Sequence, residues 1–463
     1  MLAAGLTSFA AGPAYAIDPN RAMSQYIRDR WASEQGFPRG AVYAITQTAD
    51  GYLWIGTESG LLRFDGWNFQ SVKDNSTSFT IERVLGLTPD HDGNLWVRLQ
   101  GPSMLRYRNG KFENAVKAWQ FGNVTAMSSL HAGGLLASAA EGAITYREGK
   151  LEIIASVDAL PRSPVISIAQ TAEGDLWMGT RDAGLFRMQH GMQNGRASAI
   201  TKGLPDPKIN CLMVGRDRDL WIGTDSGIAR WNGTELTADG VPASLRNVQV
   251  LAMARDRDGN TWVGTDSRGL LRLNADGVSS FNESTDRSRE AITAIFEDRE
   301  RNIWVGSANG IERLRDSPFV TFSPSEDLPT DGSIPVFVDL ETRLWFPPLT
   351  GGLWWMKNGR HGQVTADGIN RDVVYSIAGR KGELWLGRKR GGLTQLRNED
   401  SSFSARTYTQ AHGLAQNSVY SVYQTRDGTV WAGTLSGGAS RFQNGKFTTY
   451  TTEDGLASNT VAS

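Results

Sequence analysis

The chain is 463 residues long, with 52 Gly, 15 Trp, 40% hydrophobic and 21% charged residues. That balance suits a packed globular protein and excludes disorder or a collagen-like repeat as its dominant state. Its 48 Lys and Arg nearly cancel 49 Asp and Glu, leaving no broad basic field for a nucleic acid, and its one cysteine, Cys211, excludes an intrachain disulfide.

The first predicted element is a targeting segment. Residues 1–12 are small and apolar, and Ala14-Tyr15-Ala16 has the small-x-small form of a signal-peptidase site. The expectation is a signal peptide over residues 1–16 and an exported protein. No later stretch reaches the ~18 apolar residues of a membrane span.

Beyond it one unit recurs. Leu53-Trp54-Ile55-Gly56-Thr57 returns at Trp177, Trp221, Trp262 and Trp304, more weakly at Trp96, Trp345, Trp385 and Trp431, and with Leu136 in the Trp place. Successive copies are 40 to 46 residues apart, a period near 42 held ten times. Such a period marks an array. Twelve and nine residues before Trp stand apolar residues such as Val42 and Ile45, and ten before stand small ones such as Ala44. In a regular strand, offsets −12 and −10 share one face and −9 the other, which predicts an inner strand buried on both sides. An Asp-Gly-type turn such as Asp50-Gly51 leads into the Trp strand. A second Gly-rich turn leads to a third strand such as Leu61-Leu62-Arg63-Phe64, and a last short strand, clearest at Lys446–Tyr450, completes the unit.

Four antiparallel strands in about 42 residues predict an all-β fold, the β-propeller of four-stranded blades. Ten repeats exceed one ring, so the expected division is a seven-bladed propeller over 17–325 and three blades of an incomplete second ring over 326–463. Gly455-Leu456-Ala457-Ser458-Asn459 repeats Gly413-Leu414-Ala415-Gln416-Asn417, so the sequence ends inside an eleventh repeat and reads as a fragment.

The Gly-Leu-x-x-Asn lead, Asp-Gly turn, Leu-Trp-Ile-Gly-Thr strand and Gly-Leu-x-Arg-Phe strand together resemble the two-component regulator propeller family. The resemblance spans residues 24–463 and includes the opening Tyr26-Ile27-Arg28-Asp29-Arg30-Trp31. It implies a periplasmic, ligand-sensing pair of seven-bladed propellers. A β-sandwich, a membrane helix and a histidine kinase or diguanylate cyclase output would follow, all beyond this sequence, with a homodimer possible in the whole protein. It also implies that residues 24–30 form an outer strand pairing with a late blade absent here.

No catalytic, metal or cofactor motif is found. The five histidines, His91, His131, His190, His361 and His412, fall in different repeats near Gly, as turn residues do. Cys211 holds the small inner-strand place of a packing thiol. Asp258-Gly259-Asn260-Thr261-Trp262 is reminiscent of a sialidase turn but is one residue out of step. Departures from the repeat mark candidate ligand contacts: Arg98 where Gly stands elsewhere, Trp354-Trp355 after Pro347-Pro348, and Arg388-Lys389-Arg390. Arginines and lysine beside aromatic rings suit an anionic sugar, against drift in a loop or contact between rings. The six Trp outside the register, Trp31, Trp67, Trp119, Trp231, Trp354 and Trp355, are further candidates. The expected function is ligand sensing for a membrane-linked output, with a small molecule or oligosaccharide as partner and no enzymatic activity in this chain. The alternatives are a secreted propeller lectin and, behind it, a propeller glycosidase or lyase.

Overall fold

The computed structural model describes residues 21–463 except 73–80, 102, 116–121, 131–132, 191–195, 216–218, 282–289, 318–327, 330–334, 359, 381 and 400–401. The expected signal peptide, Trp119, His131 and the expected 325/326 boundary lie outside the described residues. The chain separates into two compact units, Met1–Thr321 and Phe322–Ser463. Each is built of four-stranded antiparallel sheets, seven in the first unit and three in the second. The fold is all-β, ten blades from ten repeats.

Within the first unit the inner strands contact one another in sequence, Val42–Gln47 with Val84–Pro89 and onward to Ile292–Glu297, which returns to Val42–Gln47. One feature of these strands departs from a regular pleat. The residue after the first apolar position is a bulge, as between Val42 and Ala44 or Val165 and Ser167, and it recurs in eight of the ten sheets. A bulge inserts one unpaired residue and so flips the alternation. Val42 and Ile45 therefore share a face, packing with Trp304 and Ile311 of the seventh sheet, while Ala44 pairs with Gly56 on the opposite side. This corrects the expectation that offsets −12 and −10 share a face.

Gly56 explains its own register. A Cβ there would stand 2.7 Å from Val84 Cγ1 of the second sheet, and one at Gly306 would stand 2.5 Å from Val42 Cγ1. Any side chain at this place pushes neighbouring sheets apart. Two residues earlier, and so on the same face, the indole of Trp54 fills the wider space among Val84, Leu95 and Val97. Trp54, Trp96, Trp177, Trp262, Trp304 and Trp345 are among the largest fully buried side chains, each burying on the order of 150–250 Å².

The indole nitrogens are tied down by a residue outside the repeat's apolar pattern. Six before Trp, Asp90, Asp256, Asp298 and Asp339 accept from Nε1 of Trp96, Trp262, Trp304 and Trp345 at 2.7–2.9 Å. Thr48 does so for Trp54 at 2.8 Å. The same carboxylates of Asp90, Asp256 and Asp298 also hold the turn through Asn94, Asn260 and Asn302. A buried indole N–H left without an acceptor would cost about 1–3 kcal/mol. The sialidase-like turn is thus a structural clamp centred on Asp256.

The seventh sheet takes its outermost strand from the start of the chain. Ile27–Ala32 pairs antiparallel with Gly310–Arg315, from Ile27 opposite Arg315 to Ala32 opposite Gly310. This corrects the expectation that the opening segment pairs with a blade beyond the sequence. Trp31 stacks on Trp304 with centroids 5.5 Å apart, and Asp29 accepts from Arg313 at 2.8 Å and Arg315 at 2.8 Å. Burial by itself would raise the Asp29 carboxyl, but the bonds and charges of Arg315 and Arg313 overcome it and hold it below the usual carboxylate range. Gly310 has φ 146°, and a Cβ there would meet the Trp31 carbonyl oxygen. The closing strand needs that glycine.

Candidate functional site

The residues singled out by departure from the repeat do not assemble into one site. Arg98 is wedged between sheets. It pairs with Gly86, where a Cβ would lie 3.2 Å from Met127 Cε and 3.3 Å from Arg98 Nε, so the glycine opposite makes room for the arginine. Arg98 donates to Leu85 O at 3.2 Å, and burial lowers its pKa. Trp355 occupies the ladder place opposite Trp345, where most other sheets put an arginine opposite Trp, as Arg63 faces Trp54 and Arg313 faces Trp304. The cation comes instead from Arg343, 5.4 Å from the Trp345 centroid and 5.3 Å from that of Trp355. Trp354 is half-buried beside it, opposite Phe346 and Gln363.

Arg388 is buried and fully occupied. It pairs with Asp372 at 3.1 Å and donates to the carbonyls of Asp367 and Gly368 at 3.1 Å each, pinning the turn over 366–371. Asp372 also accepts the backbone N–H groups of Arg390 and Gly391. Only the side chains of Lys389 and Arg390 are exposed. Of the Trp outside the register, Trp31 and Trp231 belong to the core, the latter against Trp177 at 5.1 Å. Trp67 is 88% exposed at the tip of a hairpin turn capped by Asp65. His91, His190 and His412 are exposed and His361 half-buried. Burial pushes the Cys211 thiol up to about 12, opposed by the Gly223 backbone, which suits a packing role. Among the described residues no group of three His, Cys, Asp or Glu side chains is placed to hold a metal ion.

The geometry converges elsewhere. The ends of four consecutive inner strands, Ala126–Ser129, Val165–Gln170, Ile209–Val214 and Val250–Arg255, and the turns that follow, border an open cavity of about 680 Å³ in the first unit. Ile168, Leu212 and Val214 give it an apolar wall, and Ser128, Thr171, Arg255, Asp256 and Arg257 give it polar groups. A concavity that sets polar groups from several elements against an apolar wall is a form that small-molecule sites take.

Its polar groups divide in two. Asp256 is committed, Oδ1 to the Asn260 N–H and Oδ2 to Asn260 Nδ2 and Trp262 Nε1, each at 2.8 Å. Arg257 is committed through its N–H to Glu297 Oε2 at 2.9 Å and its guanidinium to Arg299 O at 3.3 Å. Burial raises the Glu297 carboxyl, and the charge of Arg257 opposes this. By contrast, Ser128 Oγ, Thr171 Oγ1 and Arg255 Nε are buried and have no hydrogen-bond partner. Thr171 is 7% exposed. It stands six before Trp177, the place from which Thr48 accepts the Trp54 indole, yet both Thr171 Oγ1 and Trp177 Nε1 are unpaired. Sequence reasoning missed all three residues. Their signal, a hydroxyl or cation near the end of an inner strand, gains meaning only when four repeats are set side by side.

Six segments of the chain, residues 36–59, 159–182, 203–226, 244–267, 287–309 and 413–436, match the family of the Two component regulator propeller. These six repeats are of the kind their motifs suggested. The fold is similar to the extracellular domain of the hybrid two component system BT3049 from B. thetaiotaomicron, with TM-score 0.63 and 20% identity over 94% of this chain and 68% of that one. It is also similar to the extracellular domain of BT4673 from B. thetaiotaomicron, with TM-score 0.51 and 19% identity over 92% of this chain and 67% of that one. A third likeness is to YCF48 bound to D1 peptide, with TM-score 0.50 and 11% identity over 67% of this chain and 99% of that one. At these identities the likeness is one of fold. No curated protein matches the chain in sequence. Among the described residues no helix is long and apolar enough to cross a membrane.

Proposed function

We propose that this chain, whose repeats are those of the two component regulator propeller, is the ligand-sensing extracytoplasmic region of a signal-transduction protein. Its proposed place is the periplasm. The observation that carries the reading is the cavity of the first unit, bounded by four sheets and lined by apolar and charged side chains together. A small molecule held there touches several blades at once, so its binding free energy acts on the packing between them. A ligand that prefers one blade arrangement shifts the population toward it, and a linked module reads the shift. The proposed output, a histidine kinase, and its membrane tether belong to parts of the protein outside this sequence, and the second unit is proposed to be the start of a second ring. No catalytic step is proposed for this chain.

The test is a thermal-shift screen of the ectodomain, completed from the gene, against small molecules and oligosaccharides. A ligand at a hundred times its Kd stabilises the bound state by about 2.7 kcal/mol, so a clear rise in Tm is expected for a true ligand. No rise across a broad panel, or a downstream gene sequence with no membrane span and output module, counts against sensing.

A further inference from the structure

We infer that one rim of the second unit is a docking surface for an anionic lipid bilayer. The rim is built from the turns that follow the Trp strands. Four residues after Trp345, Trp385 and Trp431 stand Leu349, Lys389 and Leu435, one in each sheet of this unit, and Arg390 follows Lys389. The same place in the first unit holds polar or small residues such as Glu58, Gln100, Asp225 and Asp266, with Arg181 its one cation and no large apolar residue among them. Backbone hydrogen bonds set the three turns of the second unit in one row. Gly352 donates to Asp372 O and Lys389 to Val373 O, both at 2.9 Å, while Gly392 donates to Asn417 O at 2.9 Å and Leu435 to Ser418 O at 3.1 Å. Arg371 joins the row next to Asp372.

Leu349 and Leu435 are 58% and 43% exposed. Leu349 sits in a tight turn, with Pro347 and Pro348 before it and Gly351 donating to Pro348 O at 3.0 Å, so little freedom is left for it to lose on docking. The side chains of Arg371, Lys389 and Arg390 are exposed between the two leucines in the row and enter no ion pair among the described residues. Asp372, the carboxylate that touches these turns, is buried and spent on Arg388 and on the N–H groups of Arg390 and Gly391. The exposed carboxylates of Asp367, Glu453 and Asp454 belong to the lead segments before Gly368 and Gly455 and not to the strand turns. Apolar, basic, apolar is an order that suits a bilayer surface, where leucines enter the headgroup boundary and cations meet the phosphates. A soluble polyanion would use the cations and leave both leucines in water. Their place on either side of the cations favours lipid.

The experiment is flotation of the full chain with vesicles of phosphatidylcholine alone and of equal parts phosphatidylcholine and phosphatidylglycerol, at low and high salt. The wild-type chain is compared with Lys389→Glu/Arg390→Glu, with Leu349→Ser/Leu435→Ser, and with Arg181→Glu in the first unit. Residues 1–16 are common to all four chains, so differences among them report the surface and not the apolar leader. The expected result is binding to the anionic vesicles only, weakened by salt. A basic residue near an anionic membrane is worth roughly fivefold in affinity, so the charge reversal of two should cost roughly thirtyfold or more. The leucine variant should lose binding severalfold, and Arg181→Glu should match the wild type. All these side chains are exposed, so the Tm of each variant should stay near that of the wild type. Equal binding to neutral vesicles, full binding by Lys389→Glu/Arg390→Glu, or no binding by the wild type would overturn the assignment. Vesicle binding unchanged in the leucine variant, with soluble alginate bound equally well by it, would identify a polyanion site and overturn the lipid one. None of these outcomes involves the cavity of the first unit, so the sensing reading stands or falls by its own screen.

Discussion

The first sheets of the two units are copies of one repeat, yet they end in opposite surroundings. In the first unit Val42 is 0% exposed, covered by the seventh sheet and its glycine at 306. Nine residues before its Trp, Ile45 of the first unit is 8% exposed, whereas Val336, at the same place in the first sheet of the second unit, is 59% exposed. The difference teaches that a blade does not own its core. One face of each inner strand is buried only because another repeat lies against it, so the stability of a sheet is largely a property of its neighbours.

That contrast can be broken most sharply at the seam of the first unit. Trp31→Ala removes the ring that stacks on Trp304 and meets Phe64 and Phe69. It should cost about 3 to 5 kcal/mol, and faster hydrogen exchange should appear in both Ile27–Ala32 and Gly310–Arg315 while the second unit is unaffected. Exchange protection unchanged at Gly310–Arg315 would show that the closing strand does not support its neighbour. The next effect is smaller and tests the two flanks directly. Ile45→Ala should destabilise the first unit by about 2 kcal/mol, whereas Val336→Ala, at the same place in its repeat but exposed, should stay within about 0.5 kcal/mol. Equal losses of stability in chemical denaturation would mean that the flank of the second unit is covered in solution. The smallest effect is one of pH. The folded-state carboxyl of Asp29 is held low, so its contribution is complete above its unfolded value of about 3.9 and is lost as the pH falls through the lower folded one. Asp29→Asn should therefore flatten the acid limb of the first unit's stability curve and lower its plateau at neutral pH. An acid limb identical to that of the wild type would remove Asp29 from the seam.

Much of this architecture was legible because packing imposes it ten times. The Trp and the glycine two residues on are dictated by facing surfaces, and so repeat at one spacing. What was illegible falls into three kinds. The acceptor for the indole is Asp in some sheets and Thr or Glu in others, at six residues before Trp or at two, as with Asp219 and Glu383. One physical need met by several residues leaves no single-letter signal. The bulge is invisible because it changes which face a residue takes without changing which residue is there. Arg388 misled for the opposite reason, since a cation that breaks the repeat can be consumed internally, here by Asp372 and the turn before it. The cavity belongs to a fourth situation. Ser128, Thr171 and Arg255 are unremarked in their own repeats and become a site only through the convergence of strands more than 40 residues apart in sequence.

The pairing of Ile27 with Arg315 also has a mechanical side. The chain enters the closing strand at Ile27 and leaves its partner at Arg315, so both ends of the first unit emerge from the same end of one antiparallel pair. Tension between them would open the seam like a zipper, one backbone bond at a time, and would not load all the bonds together. The first unit, for all its buried tryptophans, is thus compliant along one line of pull.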